Sequence, residues 1–490
     1  MPVVLAPVPT ASAPTSAMAL SLVERFARRR RRAPDAIAVR CEGRAVTVRE
    51  LDLLARRIEQ ELSALRLAPG SLVGLAAVNG PGFLSGLIAL RRRGLVALLL
   101  DPGARCEETR RLCHRLRPAA LLVARRVWAD PGGDVFELRP LDAGPEPPPT
   151  SPEDAVVKLT SGSTGEPRGI ATPEAALLAD EEALTRSMEL RDDESILGGI
   201  PYSHSYGLSS AALPVLVRDA VGVVPTPGDP LGALRALVGH QVTFLPTVPA
   251  WLRGLLRSGS PPELPASLRL VVTAGAPIEA GTAREFRRRY GHPVHVFYGA
   301  SESGGISYDR SGEGGERGHL GAPVDGAEVE IEGAVASGGV GRVVVRSRAI
   351  ARAYLQEADS DLAGGVFRTA DLGRIEDGCL RLVGRVDSMI NVKGRKVQPS
   401  EIERVLLECP GVEEAAAIGV HCGRSEGIRA VVALQPGLER PPGVEEILAF
   451  CRGRLADFKV PRSLHIVDAL PRTARGKVDR PALLALAADR

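Results

Sequence analysis

Leu159-Thr160-Ser161-Gly162-Ser163-Thr164-Gly165-Glu166-Pro167-Arg168-Gly169 is a loop made for an anion. Its glycines let the backbone turn back on itself and present successive N–H groups, its Ser and Thr hydroxyls add donors, and Arg168 adds charge. An apolar run, Ala155-Val156-Val157, leads into it, so the segment reads as a strand followed by a phosphate-binding turn. It is not a Walker loop, which would place Lys-Ser or Lys-Thr after the second glycine. A Ser/Gly turn by itself is often only a flexible connection. The segments on either side decide between the two.

Upstream, helical patterns alternate with short Val/Leu runs. Glu50–Leu65 reads as helix, 72–77 as strand, 82–93 as helix, 96–100 as strand, 107–116 as helix and 120–123 as strand, before a Pro-rich linker at 144–152. Downstream the pattern resumes at 175–188, 213–218, 241–245 and 268–273. This alternation predicts α/β layers with mostly parallel sheets. From Gly326 the texture turns β-rich, with runs at 327–331 and 341–345. After Asp387 comes a short strand, a helix at 400–408, strands at 413–419 and 429–434, and a helix at 444–455. A domain boundary is expected near Asp387, dividing 20–386 from 387–490; the remaining residues, 1–19, are rich in Pro, Ala, Ser and Thr and are expected to form a disordered leader.

Further segments follow in order. Val272-Thr273-Ala274-Gly275-Ala276-Pro277 is a strand ending in small residues, and Val296-Phe297-Tyr298-Gly299-Ala300-Ser301-Glu302 is a strand ending in an aromatic, a glycine, a hydroxyl and an acid. Then come Phe367-Arg368-Thr369-Ala370-Asp371-Leu372-Gly373, Gly384-Arg385-Val386-Asp387-Ser388-Met389-Ile390, Lys393-Gly394-Arg395-Lys396 and Pro471-Arg472-Thr473-Ala474-Arg475-Gly476-Lys477-Val478. Singly, a Tyr at a strand end is usually core, and an Asp before Leu-Gly is usually a turn former. Together and in this order, the segments resemble the adenylate-forming superfamily of acyl-CoA synthetases, peptide-synthetase adenylation domains and luciferases, from about Leu20 to the C-terminus.

The resemblance implies an α/β fold: a large N-terminal part of two α/β subdomains plus a β-barrel-like piece, and a small mobile α+β C-terminal domain. It implies a two-step reaction in which a carboxylate attacks the α-phosphate of ATP, and a thiol then displaces AMP to give a thioester. By the same resemblance, Thr160, Ser161, Gly162, Ser163, Thr164, Gly165 and Arg168 would wrap the β- and γ-phosphates. Tyr298 and Gly299 would lie on one side of the adenine, with Gly275, Ala276 and Pro277 on the other. Ser301 would bond the α-phosphate, Glu302 would hold Mg²⁺, a hard cation suited to a carboxylate, Asp371 would take the ribose hydroxyls, and Arg385 would steady the ribose-phosphate side.

Of 62 basic residues only five are lysines, at 158, 393, 396, 459 and 477. The family's adenylation lysine falls on Lys477, expected to bridge carboxylate and α-phosphate. Its hinge falls on Asp387, about which the small domain would rotate to bring first Lys477 and then the Lys393–Gly394 loop to the site. The family usually has lysine where this chain has Arg168, a departure that keeps the charge. Lys158 is expected to be a solvated or structural strand residue.

Pro201-Tyr202-Ser203-His204-Ser205-Tyr206-Gly207-Leu208-Ser209-Ser210 matches the family's acyl-pocket segment. Members that activate amino acids keep an aspartate here in a Phe-Asp-x-Ser pattern; this chain has Tyr206-Gly207-Leu208-Ser209. A substrate ammonium left without a counter-charge would be costly, so an aryl or fatty acid is expected, with Tyr206, Gly207 and Ser209 in the pocket. His204 is expected either to gate the thiol or to cap and pack at a helix start. Coenzyme A is the expected acceptor, with a separate phosphopantetheinyl carrier protein as the enzymatic alternative. A non-catalytic nucleotide- or acyl-binding regulatory protein is the reading of another class; Lys477, Glu302 and Asp371 all stand against it.

The bulk composition agrees. The chain has 490 residues, 44% of them hydrophobic, and a net charge of +3, which offers no basis for a nucleic-acid partner. The basic run Arg28–Arg32 is expected to be the solvated end of a helix. Seven cysteines are scattered without metal-ligand spacing, no apolar run is long enough to span a bilayer, and the expected location is the cytoplasm.

Overall fold

A computed structural model of the chain describes residues 3–5, 20–41, 43–104, 106–125, 136–142, 148–161, 167–226, 229, 231–258, 263–334, 339–355, 360–386, 390–392, 395–422, 425–472, 478–479 and 482–484. Strands Leu72–Ala77, Val96–Leu100 and Ala120–Ala124 pair in parallel. They are apolar along their length because helices cover both faces of their sheet. Leu75, Ala97, Leu99 and Leu122 join the core formed with helices Val48–Ala64 and Pro81–Arg92. Their neighbours Leu72, Val96, Leu98 and Val123 meet Leu112 and Leu116 of helix Cys106–Leu116 on the other side.

This sheet has seven strands, extended on one side by the antiparallel pair Asp154–Ser161 and Pro167–Pro173 that flanks the phosphate-loop sequence. A second sheet has nine strands. Ile37–Cys41, Val221–Val224, Ser195–Leu197, Phe244–Thr247, Leu270–Thr273 and His295–Ala300 run parallel in that spatial order, and Gly304–Tyr308 turns back antiparallel. The open ends of parallel strands are where ligands bind in such sheets, and two of these ends carry the motif residues.

A third sheet of six strands is antiparallel throughout, built on Ala327–Glu332, Gly341–Ser347, Val366–Glu376 and Cys379–Arg385. It closes on a core of Ile306, Val329, Ile331, Val343, Val345 and Leu380. From Ile390 onward the chain gathers its own core. Ile402, Leu406, Ile428, Val432, Ile447 and Cys451 pack helices Pro399–Leu407 and Val444–Arg452 on the sheet of Val412–Cys422, Ser425–Leu434 and Ser463–Val467.

Two expectations change. Within the expected leader, Val3–Leu5 forms an edge strand on Ala327–Glu332, since short Val-rich segments find an open sheet edge readily. The basic run is not wholly solvated: Arg29 is buried and donates to the Val215 and Ala220 carbonyls, because helix Leu22–Arg32 lays that side on the distant helical segment Leu213–Val217.

Candidate active site

Tyr298 and Glu302 bracket the turn after strand His295–Ala300. The ladder to Gly304–Tyr308 slips between Tyr298 and Gly299, and such a bulge re-aims side chains at a strand end. Tyr298 donates its hydroxyl to Asp371 Oδ2 at 2.5 Å. Arg385, the cross-strand partner of Asp371, donates to Oδ1 at 3.0 Å. The Asp371 N–H is held by Thr369 Oγ1 at 3.0 Å. Enclosure and the Asp371 charge hold the Tyr298 phenol well above its ordinary pKa, so it stays a neutral donor. Gly275, with φ +83° and open space where a Cβ would stand, begins an exposed stretch through Ala276 and Pro277 beyond strand Leu270–Thr273. That strand is the parallel neighbour of His295–Ala300.

Glu302 is 9% exposed, and its Oε1 accepts the Tyr354 hydroxyl at 2.8 Å. Arg168 lies over the Tyr354 ring, 3.9 Å from its centroid. The arginine's positive charge is thus stacked on the tyrosine that bonds Glu302. Ser301 Oγ accepts from Ser205 Oγ at 3.1 Å, which joins the acyl-pocket segment to the expected α-phosphate serine. Thr160 reaches the end of its strand with a buried hydroxyl that has no hydrogen-bond partner among the described residues. Such a group is costly unless a ligand oxygen meets it.

His204 stands at the N-cap of the short helical turn Ser205–Gly207, and its side chain makes no capping bond there. Gly207 is required, since a Cβ would stand 2.2 Å from the Pro201 carbonyl. Leu208–Ala212 continues as a wider π-helical turn, a form often found at functional sites. Tyr206 donates to the Val272 carbonyl at 2.8 Å and stacks on Phe297 with ring centroids 5.5 Å apart. Ser209 donates to Asp180 at 2.5 Å. The segment thus packs against the strand ends that carry Gly275 and Tyr298.

Gly162, Ser163, Thr164, Gly165, Asp387, Lys393, Gly394 and Lys477 lie outside the described residues, and Ser161 is described by its backbone alone. Lys158 is not solvated but buried at 1% exposure, its ammonium donating to the Ser301 carbonyl at 3.3 Å. Burial pulls its pKa below the usual lysine value, against the opposing pull of Asp180 and Glu302. Sequence reading left Tyr354, Ser205, Asp180 and this contact of Lys158 unassigned. The scarcity of lysine was the one available signal, and it marked Lys158 no more than the four other lysines.

Mg²⁺ suits this arrangement. It keeps several waters and binds through one or two carboxylates plus phosphate oxygens rather than a protein cage. Among the described residues no cluster of three acidic, His or Cys side chains could hold a metal. Glu302 offers one oxygen that takes no hydrogen bond from the described residues, and the preceding residue, Ser301, is bonded by Lys158 of the strand that leads to the phosphate loop.

Comparison with known proteins agrees with this geometry. Residues 26–355 match the family model of the AMP-binding enzymes, and 401–477 match that of the AMP-binding enzyme C-terminal domain. A feruloyl-CoA synthase of an Amycolatopsis species is 30% identical, the alignment covering 92% of this chain and 96% of the relative. An indoleacetate–CoA ligase of Aromatoleum aromaticum is also 30% identical, covering 91% and 94%. The crystal structure of the ATP-bound RpMatB-BxBclM chimera B1 superposes with a TM-score of 0.82 at 25% identity, over 96% of this chain and 99% of that one. The chain belongs to the AMP-binding enzymes, within the adenylate-forming superfamily whose motif order it carries.

Proposed function

We propose that this protein is an ATP-dependent, AMP-forming carboxylic acid–CoA ligase acting on an aryl or fatty acid. The observation that carries the proposal is the hydrogen-bonded joining of Tyr298, four residues before the buried Glu302, to Asp371 and through it to Arg385. That is an aromatic face and a metal-type carboxylate at one strand end, met by a ribose-type carboxylate from a neighbouring sheet. The coenzyme A relatives named above support the acceptor. Their aryl acids, together with the stacked Tyr206–Phe297 pair, favour an aryl substrate.

ATP would lie with its adenine between Tyr298–Gly299 and Gly275–Pro277, its ribose on Asp371, and its phosphates among Thr160–Gly165 and Arg168. Mg²⁺ held by Glu302 would neutralise charge on the phosphates. Ser301 would orient the α-phosphate, and Lys477 would hold the incoming carboxylate against it. Rotation of residues 387–490 about Asp387 would then replace Lys477 by the Lys393–Gly394 loop, where glycine lets a pantetheine arm pass close to the backbone. His204 would guard the thiol's approach. Asp180 is committed to Ser209 and to the Gly305 N–H, so it is not a partner for a substrate ammonium.

Cys113, Cys379, Cys409 and Cys451 are free thiols, which supports a reducing compartment, and we place the protein in the cytoplasm. Among the described residues no helix is long and apolar enough to cross a membrane. The test is pyrophosphate release with ATP, Mg²⁺ and a panel of aryl, fatty and amino acids, with and without coenzyme A, products identified by mass. An acyl-CoA thioester from one acid class is expected. Acyl-AMP that coenzyme A leaves untouched would replace it with a carrier protein as acceptor, and silence across the panel would overturn the reading.

A further inference from the structure

We propose that the buried ammonium of Lys158 is a built-in counter-charge that sets how tightly Glu302 takes its divalent cation, which makes Lys158 a positioning residue for adenylation. This rests on the assignment of Glu302 as the metal carboxylate. Lys158 lies on strand Asp154–Ser161, two residues before Thr160, and is among the largest fully buried side chains of the chain. Its contact with the Ser301 carbonyl, at 3.3 Å, is the one hydrogen bond it makes among the described residues, although an ammonium carries three donors. Packing alone would not retain a lysine here, since burying an ammonium is expensive without compensation.

Part of the compensation comes from two carboxylates. Asp180, 2% exposed, and Glu302 both act on the ammonium electrostatically. Asp180 is tied in place by Ser209 and the Gly305 N–H. Glu302 is held by Tyr354, and its own carbonyl accepts the Ala351 N–H at 2.7 Å. Asp180 and Glu302 are thus each held in place by their own partners, and the ammonium is held at the Ser301 carbonyl beside Glu302. The ammonium also ties the strand that enters the phosphate loop to the peptide joining Ser301 and Glu302. In this frame Lys158 competes with an added cation for the field of Glu302, while Asp180 offsets that competition.

The consequence is a sign difference that no purely structural role produces. Removing the ammonium leaves Glu302 in a more negative field, so the cation binds more tightly. Removing the Asp180 charge leaves the ammonium less compensated, so the cation binds more weakly. The probe is Mn²⁺ in the presence of a non-hydrolysable ATP analogue, with bound ion counted by electron paramagnetic resonance on the full-length protein. Lys158→Met should lower the Mn²⁺ dissociation constant, and Asp180→Asn should raise it, each by at least about fivefold, the factor expected even when one unit charge is screened nearly as strongly as in water.

In a Glu302→Gln background Mn²⁺ should bind more weakly and both shifts should shrink, since the cation no longer sits at that carboxylate. Should Lys158→Met fail to fold, Asp180→Asn alone still reports the sign. Shifts in the same direction for both variants, or none in either, would overturn the proposal while leaving Glu302 as the metal carboxylate. Mn²⁺ binding that is insensitive to Glu302→Gln would instead overturn the assignment of Glu302 itself.

Discussion

Tyr298 donates its hydroxyl to Asp371 across 2.5 Å, although the two residues lie 73 positions apart and on different sheets. The bond clamps the residue expected on the adenine to the carboxylate expected on the ribose. Tyr298→Phe keeps the ring and removes the bond, a net loss of about 1 kcal/mol. A severalfold rise in KM for ATP with little change in kcat should follow. Asp371→Ala removes the ribose contacts as well and leaves Arg385 without this partner. Its kcat/KM for ATP should fall on the order of a hundredfold, as for the loss of two hydrogen bonds to a charged group. Steady-state kinetics of the two variants separate the contributions.

Lys477→Ala should abolish acyl-AMP formation while ATP still binds. A positioned cation that acts on developing charge is worth on the order of a hundred- to a thousandfold in rate. Pyrophosphate release should drop by at least that factor, with ATP affinity by calorimetry within about threefold of the parent protein. Undiminished adenylation in this variant would remove Lys477 from the mechanism.

Gly304 has φ +67°, and a Cβ there would stand 2.4 Å from Asp180 Oδ1. Gly304→Ala combines backbone strain with displacement of the buried carboxylate that orders Ser209, at a cost of about 1–3 kcal/mol. Gly275 has a similar φ, +83°, but open space around it, so Gly275→Ala costs only the backbone term, about 1 kcal/mol. Thermal unfolding midpoints should rank the two in that order.

Alkaline conditions should destabilise the fold. Burial pushes Tyr202, Tyr206 and Tyr308 upward in pKa. Their folded-state values lie above that of an unfolded tyrosine, about 10. The stability each contributes is therefore complete below pH ~10 and is lost as pH rises beyond it. The thermal midpoint should fall between pH 9 and 11, and tyrosinate absorbance from these residues should appear together with unfolding rather than before it.

Much of the layered architecture was legible locally. Strands Leu72–Ala77 and Val96–Leu100 have the bounds their apolar runs suggest, and helix Val48–Ala64 lies one or two residues from the expected span. Runs of β-branched and aliphatic residues between turn formers carry that information within a few positions. The edge strand Val3–Leu5 was not legible, because its pairing partner lies more than three hundred residues away. Arg29 escaped for a similar reason: its helix reads as basic, and only the docking of that helix shows which guanidinium turns inward.

The candidate site divides along the same line. Tyr298, Ser301, Glu302, Asp371 and Arg385 stood out because each falls in a short ordered motif. Tyr354 carried no such mark, yet it bonds Glu302 and lies under Arg168.

What the sequence by itself determined is the chemistry available and the order in which it is strung: hydroxyls and glycines for phosphate, carboxylates for ribose and cation, a few lysines among many arginines. Chain-local pattern suffices for that, since turns, strands and caps depend on neighbours a few residues away. Only the tertiary structure decided which groups share a field. Lys158 meets the Ser301 carbonyl across 143 positions, and the Coulomb interaction that makes this contact matter depends on distance through space and on burial, neither of which a linear pattern encodes.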